Sequence, residues 1–379
     1  MGILGSAPFN SMVTTAGSGW TRSDDIAVSR WRLDPARDSH GQWCYVRDLR
    51  SGKIWSAGHQ PVCAEADSYQ FDASPGKVTI RRQDGEVATL TEIVVLPGAF
   101  ADSRRVTIAN NSSATLDVEL TSYQEIVLAP HRLDRGHRAF YNLFVQTEWL
   151  PELPAVLAMR RPRFASDMPR WLGHTVAASE TAAGVSCETD RASFIGRGRS
   201  ARNPAAMGNP GSLPGNVGAV LDPVAALRLT LSIAPGGSER VIFTTFIAPT
   251  RGELMEKARS FGRMSSVEPF FERVGSAEDI ADSDAAACMR LGERLLYDFG
   301  QASEIPVPGT GLPACRDDLL RLGIGGELPI LLATLPHAAG VRTVVELLTA
   351  HWYLGVKGLA CDFVIVCANE RLVSDVREI

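Results

Sequence analysis

The stretch from Thr14 to Gly58 reads TTAGSGWTRSDDIAVSRWRLDPARDSHGQWCYVRDLRSGKIWSAG and holds four of the seven tryptophans of the chain. Charged residues of both signs alternate around these rings. Aromatic rings carry large apolar area, whereas Arg and Asp are costly to bury unless they are paired. The mixture is typical of the wall of a ligand cleft or of a β-sheet edge whose charges are satisfied, and the residue types alone favour the sheet edge.

The chain from Ser11 to about Ile247 consists of short runs rich in Val, Ile, Thr and aromatic residues, separated by Gly, Pro, Asn and Asp. Such runs predict β-strands, and many of them at this spacing predict a large sandwich. The predicted strands include residues 42–48, 78–82, 87–96, 105–109, 116–128, 155–159, 174–178, 217–221, 226–233 and 239–247.

After residue 248 the apolar period changes from two to about 3.6, which predicts helices. A capping box at Thr250–Glu253 predicts a helix to about Phe261, and a second helix is expected from about Asp284 to Tyr297. The run 300–317 is rich in Pro and Gly and predicts a linker. A βαβ unit should follow, with buried parallel strands at 328–335 and 360–367 joined by a helix at 339–358. The predicted domains are 1–248, 249–318 and 319–379.

Composition excludes several classes of protein. The 379 residues include 38 Lys plus Arg against 43 Asp plus Glu, a net charge of −5, which argues against nucleic-acid binding. The seven cysteines form no C-x-x-C pair, which favours reduced thiols over a disulfide framework or a zinc site. The N-terminus lacks the pattern of a signal peptide, and no apolar run is long enough to span a bilayer. We therefore expect a soluble, cytoplasmic protein without a membrane segment or a metal.

The loop 196–215 is rich in Gly, Pro, Asn and Arg and has no apolar period. Its start satisfies G-x-G-x-x-A, but Asn203–Pro204 discourages the helix that a dinucleotide site needs, so a structured loop is the better interpretation. Arg197, Arg199, Arg202 and Asn203 can donate hydrogen bonds to sugar hydroxyls or to an anion. The alternative is a solvated loop with local ion pairs.

Several long runs carry a resemblance to a known family: GSGWTRSDDIAVSRWRLDPARDSHGQWCYVRD, ELTSYQEIVLAP, ETDRASFIGRGRSARNPAAM and LLTAHWYLGVKGLACDFVIV. Together they resemble the N-terminal domain and linker of the glycoside hydrolase family 94 phosphorylases, formerly glycosyltransferase family 36. Within that family they are most like the phosphorylase-like module of cyclic β-1,2-glucan synthases and the β-1,2-oligoglucan phosphorylases. The resemblance implies a mainly β fold, a large antiparallel β-supersandwich followed by a helical linker.

Members of this family are inverting glycoside phosphorylases, in which a carboxylic acid protonates the glycosidic oxygen while inorganic phosphate attacks from the opposite face. Their catalytic residues lie in an (α/α)6 barrel that follows the β domain and the linker. The barrel is absent from this sequence, so the resemblance assigns no catalytic residue here. It implies no cofactor, apart from inorganic phosphate as co-substrate of the complete family enzyme. We expect a truncated chain that is inactive alone.

The resemblance therefore implies a module that binds or positions a β-1,2-glucan. Its expected partners are a β-glucan oligosaccharide, a second copy of the chain or a barrel. The expected carbohydrate-binding residues are Trp20, Arg22, Trp31, Arg32, Arg197, Arg199, Arg202 and Asn203. Two alternatives stay open: a structural or dimerisation module without a ligand, and an active β-glucan phosphorylase once a barrel completes it. Exposure of the tryptophans in a cleft would favour the binding module over the structural one.

Overall fold

A computed structural model of the protein describes residues 1–34, 36–163, 170–179, 182–272, 280–297, 316–326, 328–337 and 340–378. The chain divides into two compact units, Met1–Ala277 and Glu278–Ile379.

Short strands dominate the first unit, as the runs of β-branched and aromatic residues predict. Their bounds are β1 Gly2–Ser6, β2 Phe9–Val13, β3 Gly19–Ser23, β4 Ile26–Ser29, β5 Gln42–Asp48, β6 Ile54–Ser56, β7 Ser68–Ser74, β8 Lys77–Asp84, β9 Val87–Leu96, β10 Ala101–Asn110, β11 Leu116–Pro130, β12 Val145–Leu150, β13 Ala155–Arg160, β14 Arg170–Ala178, β15 Ala183–Asp190, β16 Pro223–Ile233 and β17 Ser238–Ala248. The helices of this unit are α1 His131–Asn142, α2 Arg191–Ile195, α3 Ala205–Gly208, α4 Arg251–Phe261 and α5 Met264–Phe271.

The strands form two antiparallel sheets. The nine-stranded sheet has the order β1-β2-β3-β4-β11-β16-β15, with β5 paired to β11 and β6 paired to β5. The eight-stranded sheet has the order β12-β13-β14-β17-β10-β9-β8-β7. The predicted β-supersandwich is confirmed.

The main core lies where side chains of the two sheets meet. Alternate residues of β11, such as Val118 and Leu120, pack in one cluster with Val106 of β10 and Phe243 of β17. Because successive strand residues point to opposite faces, Tyr123 and Glu125 of β11 lie on the other face of the nine-stranded sheet. Helices α1 and α2 contact that outer face, which is where the candidate site is found.

The predicted helix after residue 250 is confirmed, and Thr250 caps it by accepting a hydrogen bond from the backbone N–H of Glu253. Phe261 at the end of α4 packs edge-on against Phe246 of β17, with ring centroids 5.1 Å apart. Phe271 of α5 joins the same buried cluster. The first compact unit therefore continues to Ala277, beyond the predicted domain boundary at residue 248.

Two parts of the predicted β region differ in the structure. Residues 217–221 form no strand; Gly218 makes a single bridge to Thr147, and Leu221 is 75% exposed. Residues 131–142 form α1, which the strand pattern did not predict. Its Tyr141 packs on Val127 and Ala129 of β11, so the helix forms because it covers this sheet face.

The second unit contains α6 Asp282–Tyr297, α7 Arg316–Arg321, β18 Ile330–Leu335, α8 Val341–Val356, β19 Asp362–Cys367 and α9 Glu370–Arg377. Strands β18 and β19 pair in parallel, which confirms the predicted βαβ unit. The prediction that its strands are buried is wrong: Leu335 is 4% exposed, but Leu332 is 44% and Val366 is 51% exposed. The predicted linker 300–317 lies outside the described residues, except for its last two, which begin α7.

Candidate functional site

Three of the predicted carbohydrate-binding residues come together at one end of the nine-stranded sheet. Trp20 and Arg22 are two residues apart on β3 and so share a face. The guanidinium carbon of Arg22 lies 4.3 Å from the ring centroid of Trp20 and 5.8 Å from that of Trp31. The ring of His131, the first residue of α1, is 6.5 Å from that of Trp31. We call these four residues the aromatic–arginine cluster.

The two tryptophan rings of this cluster are covered. Trp20 is 2% and Trp31 is 6% exposed, whereas Arg22 is half-buried and Arg32 is exposed. The tryptophan faces therefore do not form an open platform for sugar stacking. The polar side chains near the surface here include Arg22, Arg32 and His131.

Arg22 is unusual because burial leaves part of its guanidinium without a partner. Its Nε atom is buried and has no hydrogen-bond partner among the described residues. Burial lowers the pKa of Arg22 to about 10, so the side chain still carries its charge at pH 7. Burial and then the charge of Arg22 lower the pKa of His131 to about 4, so this imidazole is neutral at pH 7.

Two more buried nitrogens without partners follow in the same stretch, Nδ1 of His40 and Nε1 of Trp43. Burial is the largest cause that lowers the pKa of His40, and the charge of Arg32 adds to it. The charge of Arg32 also adds to the lowered pKa of His131. Residues 20–43 thus supply three unsatisfied polar atoms below the surface.

A buried ion-pair network connects β11, α1 and α2, and sequence reasoning missed it. Its members are Arg30, Glu125, Asp134, Arg138, Asn142, Arg191 and Asp222. Arg30, which is 1% exposed, lies 2.6 Å from Glu125 and 2.9 Å from Asp134. Nε of Arg191 lies 2.7 Å from the same Glu125 carboxylate. The members are far apart in the chain, so no local motif indicates the network.

Glu125 illustrates what this network does. Burial alone would raise its pKa, but Arg30, Arg138 and Arg191 outweigh burial and lower the pKa to about 2. A carboxylate held ionised in this way is unsuited to protonate a leaving group. Its role is to fix the surrounding arginines.

The predicted residues of the loop 196–215 have mostly local partners. Oδ1 of Asn203 accepts hydrogen bonds from the backbone N–H and the hydroxyl of Ser200, at 3.3 and 3.4 Å. Nε of Arg202 donates to the carbonyl oxygen of Val62 at 3.2 Å. Arg199 donates to the carbonyl oxygen of Asn203, and Arg197 is exposed. Among the described residues, no hydrogen bond or ring contact joins this loop group to the aromatic–arginine cluster.

A second polar group lies between the two sheets. His174 is 4% exposed; its Nε2 lies 2.8 Å from the hydroxyl of Ser122, and its Nδ1 lies 3.0 Å from that of Thr245. The adjoining cavity of about 30 Å³ is also lined by Gln124, whose Oε1 is buried without a partner. A polar cavity of this size accommodates about one water molecule.

Within the described ranges, no group of three or more His, Cys, Asp or Glu side chains is arranged to hold a metal ion. The six cysteines that the structure describes are free thiols. None of the helices in the described part of the chain has the length and apolar character needed to cross a membrane.

Comparisons with known proteins agree with the resemblance. Residues 1–263 match the glycosyl hydrolase 94 supersandwich domain. Cyclic beta-(1,2)-glucan synthase NdvB of Rhizobium meliloti (strain 1021) is 30% identical over 386 residues, which is 98% of this chain and 13% of that protein. The chain thus spans a small part of that relative.

Solved structures give weaker similarity. A polysaccharide lyase is 12% identical with a TM-score of 0.38, over 67% of this chain and 34% of that one. A putative aldose 1-epimerase from Klebsiella pneumoniae subsp. pneumoniae MGH 78578 is 10% identical with a TM-score of 0.34, over 72% and 83% of the two chains. These scores are too low to support an argument, so the assignment depends on the sequence matches. On those matches, the chain belongs to the glycosyl hydrolase 94 supersandwich-domain family.

Proposed function

We propose that this chain is a carbohydrate-binding module that binds and positions a β-1,2-glucan for a glycoside phosphorylase or a cyclic β-1,2-glucan synthase. The name of the curated relative supports the glucan as ligand class. The observation that carries the proposal is the presence of three buried nitrogens without partners, in Arg22, His40 and Trp43.

A buried donor without an acceptor destabilises a protein by about 1–3 kcal/mol. Sugar hydroxyls both donate and accept hydrogen bonds, so a glucan bound at Arg22 would satisfy its Nε–H. Arg32, exposed and next to Trp31 in the chain, is placed to make the first contact. The buried tryptophans then act as a wall that orients Arg22, with no sugar stacked on their faces.

A second candidate function is a structural or dimerisation module without a ligand of its own. The burial of Trp20 and Trp31 favours it, because rings at 2% and 6% exposure are already covered by protein. Activity as a phosphorylase would depend on a barrel, and the described residues contain no barrel of helices. We assign no catalytic residue to this chain.

Calorimetric titration with β-1,2-glucooligosaccharides tests the proposal. We expect saturable binding that weakens about tenfold in Arg22→Gln, the loss of a hydrogen bond from a charged donor. Arg32→Gln should weaken binding less, because its charge is exposed. Arg81→Gln is the matched control: it removes an exposed arginine on β8 of the other sheet and should leave affinity unchanged.

The loop group provides a second comparison. If Arg197→Gln and Arg199→Gln abolish binding while Arg22→Gln does not, the glucan binds at the loop instead of the cluster. If the wild-type chain binds no glucan and light scattering shows a dimer, the structural module is the better description.

A further inference from the structure

Arg22 and Arg30 differ in what balances their charge. Arg30 has carboxylates of Glu125, Asp134 and Asp222 within 2.6, 2.9 and 3.7 Å. Arg22 has no ion pair with any described carboxylate, and burial is what lowers its pKa. A charge held partly out of water without a counter-ion is destabilising. A counter-charge from outside the described chain would remove this penalty.

Several arginines act on His131, the imidazole beside Trp31. Arg22, Arg135 and Arg32 all help to lower the pKa of His131. Asp134 acts in the opposite direction, but its carboxylate is held by Arg30 through two hydrogen bonds. A cation such as Arg22, which has no ion pair among the described residues, attracts anions even in a chain whose net charge is −5.

The geometry of Arg22 suits a flat, two-point contact. The guanidinium carbon lies 4.3 Å from the ring centroid of Trp20, and this contact fixes the side chain. Its Nε atom has no partner among the described residues. Guanidinium groups bind phosphates and carboxylates through pairs of parallel N–H···O bonds, which a single neutral hydroxyl does not match.

We propose that Arg22 binds a small oxyanion, which its guanidinium holds through two oxygens. This names a second ligand for the site described under Proposed function, and it rests on that site being open to ligands. Phosphate and carboxylate groups share the required chemistry. The anion would lie at the edge of the guanidinium, next to Trp20 and Trp31.

NMR of the indole N–H signals of the full chain localises such an anion without any mutation. The probes are inorganic phosphate, sulfate and acetate, each titrated at constant ionic strength with chloride as the reference. We expect the signals of Trp20 and Trp31 to shift in a saturable manner. Trp352, 52% exposed on α8, is the internal control and should not move. Stronger binding of phosphate and sulfate than of acetate would identify a tetrahedral anion, and the reverse order would identify a carboxylate.

Variants then test the assignment to Arg22. Arg22→Gln should weaken oxyanion binding at least about tenfold, whereas Arg81→Gln should leave it within about twofold. Equal affinity in Arg22→Gln, shifts confined to other tryptophans, or no saturation at millimolar concentrations would each overturn the proposal. If Arg22→Gln does not fold, the wild-type shifts decide the matter.

The same titrations separate this inference from the proposed function. Binding of glucan without any effect of oxyanions would overturn the oxyanion site and leave the glucan module standing. If the chain binds oxyanions but no glucan, the glucan module is overturned and the oxyanion site is supported.

Discussion

Arg30 holds Asp134 through two hydrogen bonds, from Nε to Oδ2 at 3.1 Å and from Nη2 to Oδ1 at 2.9 Å. One partner follows β4 and the other lies in α1, so this pair ties a helix to the outer face of the nine-stranded sheet. Both side chains are almost fully buried. Removing only one partner of a buried ion pair destabilises the fold most, because the other charge then stays buried without compensation.

Arg30→Met is expected to lower the free energy of unfolding by about 3–5 kcal/mol, because it leaves Glu125 and Asp134 buried with less compensation. Urea unfolding of the full chain measures this. Arg81→Gln, an exposed control, should change stability by less than about 0.5 kcal/mol. A loss near that of the control would show that the network contributes little.

His174 gives the chain a predicted sensitivity to acid. Burial, and secondarily the charge of Arg104, lowers the pKa of His174 to about 3 from the ordinary 6.5. Between these values the unfolded chain binds a proton that the folded chain does not, so stability falls as the pH drops from about 6.5 toward 3.

His174→Gln removes this titration and keeps a polar side chain. The variant should be less stable than the wild type at pH 7, and the difference should shrink by up to a few kcal/mol as the pH falls through this window. Unfolding curves at several pH values measure the difference. If the difference in unfolding free energy between the two proteins stays constant with pH, His174 is not a neutral, buried imidazole with a lowered pKa.

Local patterns predicted the elements better than they predicted the site. Alternation of apolar residues identified β11, and continuous apolar runs identified the parallel strands β18 and β19, because both patterns depend on neighbours in sequence. The sequence pattern did not predict helix α1, because its polar sequence, HRLDRGHRAFYN, is stabilised by contacts with β11 and by ion pairs. Tertiary contacts of this kind leave no signal in a local window.

The candidate site shows the same limit. The composition around Trp20 indicated that rings and charges meet there, and the structure brings Arg22 onto Trp20 and Trp31. Which charges are paired could not be read from the sequence, because Arg30 finds its partners about 100 residues away, at Glu125 and Asp134.

Gly19 is required for the strand that carries Trp20 and Arg22. It adopts φ = +144°, and an added Cβ would overlap the backbone carbonyl oxygen of Met12. Gly19→Ala should therefore lower the free energy of unfolding by about 3 kcal/mol or more. Gly52 also has a positive φ, +72°, but has open space around it. Gly52→Ala should lower the free energy of unfolding by only about 1–2 kcal/mol, measured by urea unfolding. Equal losses of stability in the two variants would contradict the close approach of Gly19 to the Met12 carbonyl oxygen.

The last prediction concerns the two faces of β18. Leu335 is 4% exposed and packs in a cluster with Val344 and Leu372, whereas Leu332 on the same strand is 44% exposed. Leu335→Ala should cost about 2–5 kcal/mol, because it opens a cavity in this cluster. Leu332→Ala should cost less than about 1 kcal/mol, because little packed surface is lost. Hydrogen exchange of the β19 amides in the full chain measures both. Similar losses of protection in the two variants would show that Leu332 is covered in solution and that both faces of the strand are buried, as the apolar run 328–335 predicts.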